Sequence, residues 1–397
     1  MPIFEKQTSV QKPPLSKGAL RPRVVISGYY GFNNLGDELI LHVLVEQLKK
    51  RNLDVLVLSN TPEETERKYG VRAVSRNQPM AVVNAISQAH LFISGGGGLF
   101  QDATGPMSVL YYGGLIGLAR FFEIPVCFIG QGLGPLNRPF SKAVTQKALQ
   151  WSSLVTVRDE ASAQLVEELT GERPHLVMDP VWLLDLPSKK PVLNETTPWR
   201  VGISLRPWGA LSESRIDALA KCLEKLAARS TRKMHFSLLP FQQAHDKPVL
   251  ELFADKISAL GLTDWEMVDP AHLLNVIPQC HLLFGMRFHS LILGILSDVS
   301  VFGLVYDPKV RQLIDVLGLE GIDIAEMGAL GGDSQVAQLQ TYFNHYPEVT
   351  LTRLRQGAYR NFEVLDELLS RQNFSEFVLE VAPPPDLADY AKANYEL

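Results

Sequence analysis

The chain has 397 residues, 46% of them hydrophobic, and sets 38 Lys and Arg against 43 Asp and Glu for a formal charge of -5. This length exceeds one ordinary core and supplies two domains of common size. A weakly acidic balance gives no global pull toward nucleic acid or an anionic bilayer, so no nucleic-acid partner is expected and any anion site must be local.

Residues 1–20, "MPIFEKQTSVQKPPLSKGAL", are polar, carry two adjacent prolines and lack the apolar core of a signal peptide. They are expected to form a disordered tail. No later segment offers about 20 uninterrupted apolar residues. The longest candidate, "SLILGILSDVSVFGLVY", is broken by Ser297, Asp298 and Ser300 and reads as a helix, a turn and a buried strand. Cys127, Cys222 and Cys280 are widely spaced in apolar or helical contexts, which fits small buried side chains in a reducing cytoplasm.

From Arg23 onward, buried-strand runs alternate with helical segments. "VVISG" is followed by a helix from Asp37 to Lys50, then "DVLVLSN", a helix around "MAVVNAISQA", "HLFISGGGG", a helix through "LYYGGLIGLARFF", and "PVCFIGQGLG". A further helix, "LVTVRD" and the short strand "PHLVMD" close a first αβ domain at 21–185. Residues 186–199, rich in proline and without apolar period, read as a linker. A second alternation fills 200–350: "RVGISLRPWG", a helix over "IDALAKCLEKLAAR", "MHFSLLPF", a helix from Pro248 to Leu260, "HLLFGM", another helix and "VSVFGLVY". Residues 351–397 read as an amphipathic helix and a polar extension with three consecutive prolines. Such alternation predicts an α/β protein of two Rossmann-like parallel-sheet domains facing a cleft.

Ligands of open parallel sheets bind beyond the carboxyl ends of the strands, and the unusual residues of this chain lie there. "GYYGFNNLGDELI" follows the first strand, but its glycines match neither G-x-G-x-x-G nor the P-loop pattern. Asp37 reads either as a first-turn acid favoured by the helix dipole or as a base or sugar-hydroxyl acceptor. "SGGGGLFQD" reads as a glycine loop after a strand, either a tight turn or a place where backbone amides meet an anion or sugar oxygen. On its far side, Gln101 and Asp102 are natural hydroxyl partners. Tyr29, Tyr30, Phe32, Tyr111 and Tyr112 either stack on a sugar or belong to the core.

In the second domain, Arg206 and Arg287 each follow a buried strand, and Arg287 also opens a helix, where guanidinium and amide groups converge on a phosphate or carboxylate. His289 stands two residues from Arg287 and can donate a proton near neutral pH. Six histidines, His42, His90, His175, His235, His272 and His281, have structural contexts, and His245 sits in an expected loop. No His-Glu-x-x-His, cysteine pair or clear DxD set occurs, which points to a metal-independent reaction without a cofactor.

"GYYGFNNLGDELIL", "FISGGGGLFQD", "ISLRPW", "GMRFHSLILG" and "YDPKV", in this order over residues 23–350, resemble the polysaccharide pyruvyl transferases. The resemblance implies a GT-B-like fold with an acceptor-side first domain and a donor-side second domain. It implies phosphoenolpyruvate as donor and a lipid-linked or polymeric saccharide as acceptor, ketalised on two hydroxyls, with the protein attached peripherally at the inner face of the cytoplasmic membrane. On that reading Arg206, Arg287, Lys309 and Arg158 bind the donor, His289 and Asp37 are catalytic, and Asn34, Gly96, Gly97, Gln101 and Asp102 meet the acceptor. Two rivals are a GT-B nucleotide-sugar glycosyltransferase using the same cations for a diphosphate, and a non-catalytic saccharide-binding protein.

Overall fold

The computed structural model describes residues 21–103, 105–186, 197–342, 351–371 and 381. The expected N-terminal tail, most of the linker and most of the polar C-terminal extension lie outside them. Two compact units divide the chain: Met1–Leu183 with Leu351–Leu397, and Leu184–Thr350.

The first unit runs β1 (Arg23–Ser27), α1 (Leu35–Lys50), β2 (Asp54–Ser59), α2 (Pro62–Tyr69), β3 (Arg72–Ser75), α3 (Pro79–Ser87), β4 (Leu91–Phe100), α4 (Met107–Phe121), β5 (Val126–Leu133), α5 (Pro139–Gln150), β6 (Leu154–Val157), α6 (Glu160–Thr170) and β7 (His175–Leu176). Its seven strands, all parallel, lie in the order β3-β2-β1-β4-β5-β6-β7. The apolar runs of β1, β2 and β5 are buried because helices cover both faces of the sheet, as a parallel sheet requires. The glycines expected to form a loop continue β4 instead, with Gly95 opposite Ile129 and Gly97 opposite Gln131 before the register shifts toward Phe100. β7 is shorter than the sequence predicts, because the chain turns at Asp179 into a short 3-10 helix, Pro180–Leu183.

The second unit runs β8 (Trp199–Ser204), α7 (Glu213–Arg229), β9 (Met234–Leu238), α8 (Gln243–Ala259), β10 (Trp265–Met267), α9 (Leu273–Val276), β11 (Leu282–Gly285), α10 (Phe288–Leu296), β12 (Ser300–Val305), α11 (Pro308–Leu317), β13 (Glu320–Asp323) and α12 (Asp333–Tyr342). Its six parallel strands are ordered β10-β9-β8-β11-β12-β13. α8 begins five residues before Pro248, so His245 is helical rather than in a loop. Both units repeat one bracket: the backbone N–H of Arg23 donates to His90 Nδ1 at 3.0 Å, and that of Arg200 donates to His281 Nδ1 at 3.0 Å.

The last helix, α13 (Leu351–Arg371), packs in the first unit. Fully buried Arg51 donates to both carboxylate oxygens of Asp366, at 2.6 and 2.7 Å, and lies 5.2 Å from the Phe362 ring. Beside it, Thr156 Oγ1 hydrogen-bonds Asn361 Oδ1 at 2.6 Å, while Asn361 Nδ2 donates to the carbonyl of Met178. All three cysteines are buried and unpaired in disulfides, and burial pushes the Cys222 and Cys280 thiols up to about 11 and about 12, the state of inert core residues.

Candidate functional site

In each sheet the strand order reverses once, between β1 and β4 in the first unit and between β8 and β11 in the second. The crevice outside the carboxyl ends at such a point is where open α/β sheets hold ligands.

In the first unit the reversal is occupied by the loop after β1 and the glycines of β4. Gly31 adopts φ +75°, and a β-carbon there would stand 2.4 Å from Ser59 Oγ, so only glycine fits the turn. Its N–H donates to Glu38 Oε1 at 2.8 Å, and Tyr69 Oη donates to Glu38 Oε2 at 2.5 Å. Glu38 is thereby committed to holding the loop. Its neighbour Asp37, one residue earlier in the first turn of α1, is aimed differently: Asn34 Nδ2 donates to Asp37 Oδ2 at 2.6 Å, and a β-carbon on Gly97 would lie 2.5 Å from Asp37 Oδ1. The structure therefore brings Asn34, Asp37 and Gly97 together, with Gly96 beside them against Ile40. Gln131, fully buried, fixes the glycine strand by donating from Nε2 to the carbonyl of Gly97 at 2.7 Å.

Three expected members are occupied otherwise. Asp102, expected to meet a sugar hydroxyl, is buried and accepts from the backbone N–H groups of Asn137 and Arg138 at 2.7 and 2.8 Å. Burial raises its carboxyl, but those backbone bonds outweigh it and hold the group below the usual carboxylate value. Asp102 clamps a turn; Gln101 accepts from the N–H of Ala103 at 2.9 Å. Arg158, expected in the first domain as a donor-binding cation, lies in the first unit, buried, with Nη1 donating to Asp179 Oδ2 at 2.6 Å. Burial draws its guanidinium down, yet Asp179 and Asp159, with a contribution from Asp37, lift it above its ordinary value. The field of Asp37 also reaches buried Tyr30, whose hydroxyl burial pushes well up.

The aromatics form a cluster around a residue that sequence reasoning passed over. Arg76 lies 5.0 Å from the Phe32 ring, 4.1 Å from Tyr111 and 5.6 Å from Tyr112, and donates to the carbonyl of Gly28. Tyr29 stacks on Phe32 with centroids 4.1 Å apart. Tyr30 and Tyr112 are core, whereas Tyr29, Phe32 and Tyr111 are half-buried.

In the second unit Arg206, just past β8, donates from Nη1 to Tyr306 Oη at 3.0 Å, and its guanidinium lies 5.1 Å from the Tyr306 ring and 5.5 Å from that of Trp208. Lys309, in the first turn of α11, lies 5.9 Å from the same Tyr306 ring. Tyr306 thus holds two of the expected cations in one neighbourhood. Arg287 caps α10, with Nε and Nη2 engaging the two carboxylate oxygens of fully buried Asp246. Asp246 also accepts from the backbone N–H of Gln242 at 2.9 Å, which anchors it to the start of α8. His289 is the second residue of α10, half-buried, its ring edge-on to Phe288 at 5.3 Å. Asp246 and Tyr306 were not picked out as site residues, since nothing in their local sequence reports the partner 41 or 100 residues away. Among the described residues no cluster of His, Cys, Asp and Glu is placed to hold a metal ion.

These two sheets, of seven and six parallel strands, place the chain with GT-B-like proteins. It is similar to the UDP-GlcNAc 2-epimerase of Methanocaldococcus jannaschii, with a TM-score of 0.58 and 12% identity over 88% of this chain and 100% of that one. It is similar too to Anabaena Alr3699/HepE in complex with UDP-glucose (TM-score 0.57, 14% identity, 88% and 99% covered). A glycosyltransferase from Rickettsia africae aligns at TM-score 0.55 and 11% identity over 88% of this chain and 99% of the other. At such identities the likeness is one of fold. Among curated proteins there is no significant match. The sequence model of the family described as polysaccharide pyruvyl transferase matches residues 34–308, from Asn34 through Arg206, Arg287 and His289 to one residue short of Lys309. The chain belongs to the polysaccharide pyruvyl transferase family.

Proposed function

We propose that the protein transfers the enolpyruvyl group of phosphoenolpyruvate to a sugar of a cell-wall or surface polysaccharide precursor, forming a pyruvate ketal and releasing phosphate. The observation that carries this reading is the set of cations at the carboxyl edge of the second sheet, within or next to the family match. Phosphoenolpyruvate carries a phosphate and a carboxylate on three carbons, and Arg206, Arg287 and Lys309 are the groups that receive them. Tyr306 and Asp246 hold those cations in place before the donor arrives.

In the reaction, a proton adds to the methylene carbon of the enol and a sugar hydroxyl attacks the carbon that bears the phosphate. Phosphate leaves, and a second hydroxyl attacks to close the ketal. His289, at the start of α10, is the general acid toward the methylene carbon. Asp37 orients the acceptor hydroxyl or takes its proton, with Asn34 setting its carboxylate and Gly96 and Gly97 giving the sugar close access to backbone. Gln101 borders the same loop. Arg158, paired with Asp179, acts as fixed charge rather than as a ligand for the donor. No metal or cofactor is invoked. The acceptor is read as a lipid-linked or polymeric saccharide, met by peripheral attachment at the inner face of the cytoplasmic membrane.

Fold likeness to a protein bound to UDP-glucose favours one alternative, a nucleotide-sugar glycosyltransferase with a diphosphate on the same cations. Purified protein is given phosphoenolpyruvate and a lipid-linked or aryl disaccharide, phosphate release is followed, and the sugar is examined by mass spectrometry for a pyruvyl ketal. Ketal formation that is lost in Arg287→Ala supports the proposal. Absence of turnover together with saturable UDP-sugar binding replaces it with the alternative.

A further inference from the structure

α3, α4 and α5 follow the parallel strands β3, β4 and β5, so their N-termini all emerge at the carboxyl edge of the first sheet. Large apolar side chains stand out on their first turns: Met80 is 80% exposed, Met107 71%, Leu110 39% and Phe140 55%. These are four of the nine large apolar side chains exposed among the described residues, gathered on one rim. The same turns lack acids. α1, α2 and α6 carry Asp or Glu in their first turns, as helix dipoles favour, whereas α3, α4 and α5 carry none. Exposed Lys142 stands in the first turn of α5, and half-exposed Arg138 caps that helix. Asp102, whose carboxylate lies 3.8 Å from the Arg138 guanidinium, is buried beneath the rim.

We propose that this rim is a membrane-docking surface, in which Met80, Met107, Leu110 and Phe140 enter the headgroup layer of an anionic phospholipid bilayer. Three parallel helix dipoles, Arg138 and Lys142 present positive charge to the lipid phosphates, on a chain whose overall charge is -5. Protruding apolar tips beside exposed Lys142 and three helix N-termini match such a layer, where apolar insertion and phosphate attraction act together. The rim adjoins the Asp37 loop: Tyr111, on the second turn of α4, packs on Arg76, which packs on Phe32. Docking there would set the first-unit loop against the bilayer from which a lipid-linked saccharide projects. No helix among the described residues is long and apolar enough to cross a membrane, so this contact is peripheral. The proposal rests on the pyruvyl transfer reading only for the purpose of the contact, because vesicle binding is measured without turnover.

The test is flotation of the full-length protein with phosphatidylcholine vesicles, with and without phosphatidylglycerol. Wild type floats with the anionic vesicles and is released by high salt. The combined variant Met107→Asp/Phe140→Asp partitions roughly tenfold or more weakly, and Lys142→Glu roughly tenfold more weakly. Both variants keep wild-type turnover on a soluble disaccharide if the pyruvyl transfer reading holds, and that assay fails separately if it does not. Equal flotation of wild type and the combined variant overturns the proposal. So does lipid-free self-association of wild type, seen by sedimentation and abolished in that variant, because the rim would then cover a second copy of the chain.

Discussion

Asp246→Asn tests the way the second sheet holds its cations. The change keeps shape and an acceptor for the Gln242 N–H while removing the charge opposite Arg287, whose side chain is only 10% exposed. Breaking a buried pair by neutralising one partner costs roughly 3–5 kcal/mol, and the small exposure of Arg287 places this case near 3. That is about a hundredfold in the folding equilibrium. With a urea slope of about 2–3 kcal/mol/M, the midpoint of the second unit falls by about 1 M or slightly more. Fluorescence reports it directly, since Trp199, Trp208 and Trp265 lie in that unit. Arg287→Met loses a comparable amount by stranding Asp246, and the double variant loses little more than either single, a coupling of about 2 kcal/mol or above. Additive losses, or an Asp246→Asn cost below about 1 kcal/mol, would refute the claim that the pair is one electrostatic unit. If the pair also preorganises the donor site, the KM for phosphoenolpyruvate rises about tenfold or more in Asp246→Asn, in step with the lost interaction.

His289→Ala is expected to lower turnover by roughly 10²–10⁴-fold while titration calorimetry still detects phosphoenolpyruvate binding; full activity would remove His289 from the chemistry. Tyr306→Phe deletes the 3.0 Å bond to Arg206 but keeps the ring beneath both cations, so donor KM should rise only about fivefold, the worth of one hydrogen bond. Gly97→Ala, at φ +78° and against Asp37, should lower ketal formation strongly and leave donor binding intact, read by the same two assays. Burial holds the His281 imidazole below its ordinary value, so the unfolded chain takes up protons first as pH falls. Stability is then complete above about pH 6.5 and declines below it, a slope that His281→Asn should flatten in urea titrations across that range.

Strands buried on both faces were legible because continuous apolar runs have no other use at that length: β1, β2, β5, β8, β11 and β12 lie where the sequence predicts. The edge strands β3 and β10, with no fully buried residue, left no apolar signal, and α2 buries only Thr65 and Tyr69. The glycines of β4 misled for the opposite reason, since glycine suggests a turn while here the backbone goes on pairing with β5 under the hold of Gln131. Pro248 suggested a helix start by its preference for first turns, but α8 starts earlier, where Asp246 captures the Gln242 N–H. At the site, Arg206, Arg287, His289 and Lys309 stood out because they interrupt apolar runs at strand ends. Their carboxylate and aromatic supports did not, because an ordinary Asp or Tyr becomes a partner only once distant segments meet.

The return of α13 to the first unit gives synthesis of the chain an order. The guanidinium of Arg51 and its counter-ion Asp366 are 315 residues apart, so on the ribosome the arginine waits roughly a quarter of a minute to a minute for its partner. All strands of both sheets are made before that helix appears. The second unit has its whole sequence first, and the unit that begins the chain is the last to be completed. Until then the surface that α13 will cover, with Arg51 and Thr156 beneath it, is open to chaperones and to other chains. A stop codon shortly before residue 351 would therefore leave the second unit whole and the first one short of the helix that neutralises its most deeply buried charge.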